Sequence, residues 1–158
     1  MNTMMKRLSL ILAAMAVTLS LSAQSGFGIA AVFEKKIVPS SRMNETYIDG
    51  SQLAPYKLRT FRSVKFLATE EEYQQIVALL LKDAEKAEDR QTEYAEGRLS
   101  YALFRFRAQM PGPRGVKRTE GSKYLCLQAD EGRGGYAITL VYMAGDATLE
   151  DLKKIFKK

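Results

Sequence analysis

Three runs in the C-terminal half constrain the fold most: LSYALFRFRA at residues 99–108, KYLCLQA at 123–129 and YAITLVYM at 136–143. Each is rich in aromatic, β-branched and aliphatic residues and reads as a strand. The last two are joined only by DEGRGG. Strands that follow one another this closely pair antiparallel, because a parallel crossover needs a dozen residues or more. The glycines supply positive φ for the hairpin turn. A phosphate-cradling loop is the competing reading of GRGG, but such loops run from a strand into a helix and this one joins two strands.

Upstream, TEEE at residues 69–72 is a capping box, in which the Thr69 hydroxyl accepts from the Glu72 amide while the Glu72 carboxylate reaches back. Behind it Tyr73, Ile76, Val77, Leu80, Ala84 and Ala87 form one apolar stripe at offsets of three and four. The spacing predicts a helix running out near Arg90 or Tyr94, with Gly97 closing the connection. GIAAVFEKK at 28–36 predicts a short docked helix. NETYIDG at 44–50 and TFRSVKFLA at 60–68 predict strands, separated by an irregular bridge at Leu53, Pro55 and Tyr56. TLED at 148–151 repeats the cap and opens a terminal helix with Leu149, Leu152, Ile155 and Phe156 on one stripe. The order α-β-β-α-β-β-β-α predicts an α+β fold of two layers, a mainly antiparallel sheet of four or five strands with the helices on one face.

Lys6 and Arg7 precede an uncharged stretch from Leu8 to Leu21, the layout of a secretory signal peptide. Those residues would make a helix of about 21 Å, too short for a hydrocarbon core of about 30 Å. Ala23 is the small residue expected before the cut. The mature chain is therefore expected to begin at Gln24, with a cut after Ser22 as the alternative, leaving one domain over residues 24–158 and no transmembrane segment. No Cys ends the apolar stretch to carry a lipid, so periplasmic or secreted release is the expectation. The sole cysteine, Cys126, has no partner for an intramolecular disulfide and sits between Leu125 and Leu127 as a small core residue would.

Charge is unevenly placed. Residues 69–96 hold nine acids against Lys82, Lys86 and Arg90, whereas residues 97–123 hold seven bases against Glu120 alone. The FRFR of the first C-terminal strand lies in the basic stretch, and three readings compete for it. As an RNA-recognition strand it fails, because Leu99 and Ser100 stand where a basic residue and Gly belong and Leu103 stands where a stacking aromatic belongs. Export also argues against a nucleic-acid partner. As a binding surface, Tyr101, Arg105 and Arg107 share one face, and the loop MPGPRGVKR adds Arg114, Lys117 and Arg118. Its ligand would be an anionic envelope component, such as an acidic glycan or lipid head group, or an acidic protein. As a structural strand, Ala102, Phe104, Phe106 and Ala108 face the core and the arginines are its solvated side.

The chain contains no His, which removes the commonest general base, triad partner and metal ligand. It has no Cys/His cluster, Walker-type loop or dinucleotide fingerprint, and no cofactor or metal is expected. A hydrolase built on an Asp/Glu pair is the remaining enzymatic alternative, with Glu45, Asp49, Asp130, Glu131 and Asp146 as its carboxylates outside the acidic helix. No catalytic residue is assigned. The composition favours a small non-enzymatic domain, a structural or interaction module.

The signal ending SAQ, the helix GIAAVFEKK and the segment YIDGSQLAPYKLRTFRS, with YKLxxFRS from Tyr56 to Ser63 inside it, resemble a family of small exported proteins of unknown function from Bacteroidetes. The resemblance covers the whole mature chain. It implies an envelope or secreted location and an α+β domain without assigned catalysis, and it carries over no functional residues.

Overall fold

A computed structural model describes residues 26–110 and 119–156. The segment read as an export signal, with Ala23 and Gln24 at its cut, lies outside them, as do Arg114, Lys117 and Arg118. In chain order the elements are α1 (Ala30–Phe33), β1 (Met43–Asp49), β2 (Leu58–Ala68), α2 (Glu70–Ala84), β3 (Asp89–Ala95), β4 (Arg98–Met110), β5 (Thr119–Gly132), β6 (Gly135–Gly145) and α3 (Leu149–Phe156). Short 3₁₀ turns at Ser40–Arg42 and Ser51–Tyr56 flank β1, the second forming the irregular bridge.

The six strands make one sheet in the order β1-β2-β6-β5-β4-β3, and every neighbouring pair is antiparallel. The architecture is α+β as expected, with six strands where the sequence predicted four or five. The stretch read as the last turns of the long helix is β3, since α2 stops at Ala84. DRQTEYA offers no apolar alternation because β3 is an edge strand with little of either face buried.

The helices occupy both faces of the sheet, which corrects the one-sided arrangement. On the first face α1 and α2 cover Val64, Phe66, Ala102, Phe104, Leu125, Leu127, Ile138 and Leu140. On the second face α3 and the Ser51–Tyr56 turn set Leu152 and Leu53 against Leu103, Tyr124, Cys126, Val141 and Met143. The physical reason lies in YLCL and ITLVYM, where both parities are apolar. Central strands buried on both sides read as continuous hydrophobic runs. Tyr124 fastens this second layer by donating its hydroxyl to the Ala147 carbonyl. Beyond the reach of α3 the second face turns polar and exposed, with Lys65, Gln128 and Leu67 outermost.

Capping places the helices. Thr69 Oγ1 accepts from Glu72 N at 3.1 Å and Thr69 N donates to Glu72 Oε1 at 2.9 Å, completing the predicted box. Thr148 and Asp151 repeat it at α3, at 3.2 and 2.9 Å. Asp83, near the end of α2, accepts from the amides of Gly28 and Ile29 at 2.7 and 2.9 Å and so ties the start of α1 to α2. Among the described residues, no helix is long and apolar enough to cross a membrane.

Candidate ligand groove

Tyr101, Arg105 and Arg107 lie on the second face of β4, as their alternation requires, but they do not form one basic surface. At about 3.3 Å per residue, Tyr101 and Arg107 are about 20 Å apart along the strand. Tyr101 is half-buried at the edge of the second core, and burial together with the neighbouring Cys126 pushes its hydroxyl up to about 12. Cys126 is itself buried and its thiol is pushed up to about 11 by that burial. Both groups are therefore protonated at neutral pH, and Cys126 lacks the thiolate that a nucleophile needs.

The two arginines are matched by acids from the end of the α2–β3 connection. Arg105 Nε bonds the Asp89 carboxylate, and its terminal nitrogen lies 3.1 Å from Glu88. Arg107 Nε lies 3.2 Å from Glu88. Asp89 stands directly opposite Arg105 because β3 pairs with β4 there. The carboxylates come from the last residue before β3 and the first residue in it, a strand that the sequence pattern conceals, so nothing in FRFR itself shows that its cations are paired.

The uncommitted cations gather on the other side of the same strand end. The N-terminal segment Gly26–Gly28, the last turn of α2 and the ends of β4 and β5 enclose an open groove of about 820 Å³. Its floor is apolar. Phe27 meets Phe106 edge to face at 4.8 Å, and Leu79 contributes from α2. Its rim carries Lys82, Lys86, Lys123 and Arg107. Lys123 sits over the Phe27 ring at 5.9 Å, a cation–π contact that leaves its charge available. Of the three acids in the lining, Asp83 is occupied by the Gly28 and Ile29 amides and Glu88 by the two arginines, which leaves Glu85. Among the described residues, Lys82, Lys86 and Lys123 form no ion pair. The sequence signal for this site was the pair Lys82 and Lys86, four residues apart at the end of an otherwise acidic helix.

At the opposite end of the sheet, Tyr73 and Tyr136 stack with centroids 4.0 Å apart. Arg98 bonds both the Tyr136 hydroxyl and Glu70. Glu70 is held below the ordinary carboxylate range by Arg98, and Tyr136 is pushed up to about 12 by burial. Tyr73 donates to the buried Leu99 carbonyl at 2.8 Å, so this network fastens α2 to the sheet. Of the carboxylates weighed for a hydrolase, Asp130 and Glu131 are neighbours on β5 and line a shallow groove with Glu96, and two others are held in ion pairs. Glu45 pairs with Lys35 and Arg62, while Asp146 lies 3.6 Å from Arg59. Among the described residues no group of three His, Cys, Asp or Glu could hold a metal ion.

A single antiparallel sheet with helices on both faces and a cation-rimmed groove at one end defines a small α+β domain. The chain matches the model of the family of unknown function DUF6108 over residues 16–156 and belongs to that family. No curated protein and no solved structure matches it.

Proposed function

We propose that the chain is an exported, non-enzymatic interaction module of the cell envelope that takes anionic ligands in the groove beside Phe27. One observation carries the reading: three lysines that form no ion pair among the described residues surround an aromatic floor that is open to solvent. An apolar floor holds the body of a ligand and a few placed charges set its orientation. Export rests on Lys6, Arg7, the uncharged stretch after them and the small residue Ala23, with the Bacteroidetes resemblance in agreement.

Two measurements test the two halves of the proposal. N-terminal sequencing of the periplasmic or secreted protein should begin at Gln24, and an intact Met1 in the mature protein overturns export. Retention on immobilised heparin should fall in the triple variant Lys82→Gln, Lys86→Gln, Lys123→Gln. It should hardly change in Lys65→Gln, Lys153→Gln, Lys154→Gln, which removes the same charge elsewhere. Equal losses in the two variants would reduce the groove to a share of the overall positive charge.

A further inference from the structure

Pairing along β4 is lopsided. With β5 it continues to Met110↔Thr119, but with β3 it stops at Asp89↔Arg105. Past that point the α2–β3 connection leaves the sheet, Ala87 N bonding Ala84 O as the chain turns back into α2. The Glu88 amide makes the last bond to this edge, donating to the Arg105 carbonyl at 2.8 Å. Backbone groups of alternate residues point to the same edge of a strand. The N–H and C=O of Arg107 and Gln109 therefore point to the edge that β3 has vacated. Among the described residues nothing pairs with this edge past Arg105, and an open edge of this kind is a template for an added strand. It is also a wall of the groove, since Phe106, Arg107 and Ala108 line it.

We infer that the groove takes an acidic, extended peptide as an added strand on β4. The inference rests on the groove reading above and names its ligand. An incoming strand continuing the line of β3 pairs with Arg107 and Gln109, a span of about 10 Å for three residues. Alternate side chains of that strand point to the first face, over Phe106 and Phe27, within reach of the rim lysines. Charge selects an acidic sequence, because among the described residues Lys82, Lys86 and Lys123 form no ion pair, while Asp83 and Glu88 are already bonded and only Glu85 is left of the lining acids.

The test uses fluorescence polarisation with the fluorescein-labelled peptide acetyl-Glu-Val-Glu-Thr-Glu-Val-amide and two versions N-methylated at alternate residues. Sodium dodecanoate serves as an anion that cannot pair as a strand. If the inference holds, the acidic peptide binds and its Lys-for-Glu counterpart does not. One N-methylated version then loses about tenfold in affinity, the equivalent of about two backbone hydrogen bonds, while the other keeps most of it. Parent-like binding by both N-methylated versions overturns strand addition and leaves the groove reading intact. So does a protein that binds dodecanoate through Lys82, Lys86 and Lys123 but ignores the peptide. Binding of the Lys-for-Glu counterpart at equal affinity removes the charge argument, and failure of every probe removes the groove reading with it.

Discussion

A methyl group on Gly135 has nowhere to go. Its φ is +143°, and a Cβ built there would stand 2.1 Å from the Ala68 carbonyl oxygen, in backbone that β2 and β6 hold in register. Strain and overlap together should cost about 3 kcal/mol in Gly135→Ala. Gly132→Ala, in the same turn with open space around it, should be nearly neutral, and urea denaturation of both variants checks the contrast. Cys126 gives a second expectation at this scale. Buried, and with its thiol pushed up to about 11, it should resist Ellman's reagent between pH 7 and 9 until the protein unfolds. Rapid labelling of the native protein would contradict this. That Cys126 packs in a core was legible from the leucines on either side. The neutralisation of Arg105 and Arg107 was not, because Glu88 and Asp89 reach them through a pairing between residues far apart in the chain.

At the scale of elements, α2 was the most legible, since its start is written in four consecutive residues and its stripe follows a single period. Thr69→Ala should cost about 1 kcal/mol by removing the cap. Glu72 adds a pH dependence of definite sign. Arg42, which bonds both Glu72 oxygens at 2.9 and 2.8 Å, holds that carboxyl below the ordinary range against the opposing effect of burial. The unfolded chain takes up this proton near the ordinary value of about 4.3, before the folded one does. The stabilisation is thus complete above that value and is lost as pH falls through the lower folded value. The stability gap between wild type and Glu72→Gln, measured by urea titration, should therefore be widest at neutral pH and narrow below about pH 4. A gap independent of pH would show that Arg42 does not favour the ionised form. The elements that resisted reading did so for opposite reasons. β3 has too little buried surface to impose a period, and the central strands have so much on both faces that their alternation disappears. That same two-sided burial hid the side on which α3 docks, although its Thr148–Asp151 cap was plain.

For the whole molecule, the question is whether two cores on opposite faces of one sheet behave as one cooperative unit. They are separate as lists of contacts but not as lengths of chain. Leu125 and Leu127 belong to the first core and Tyr124 and Cys126 to the second, on the same strand, and β4 and β6 alternate likewise. Losing either layer removes half the support of the strands that carry the other. Unfolding should therefore be two-state, as in most domains of this size. Cys126 provides a reporter placed in the second core only. Leu127→Ala empties space in the first core and Met143→Ala in the second, and each should cost about 3 kcal/mol. Where labelling tracks the population of the open form, that loss should speed the reaction of Cys126 by about a hundredfold. With cooperative cores, the acceleration in Leu127→Ala should match its loss of stability in urea as closely as it does in Met143→Ala. Acceleration in Met143→Ala alone would mean that the face carrying α3 opens by itself, and that the sheet is a shared wall between two independently stable layers.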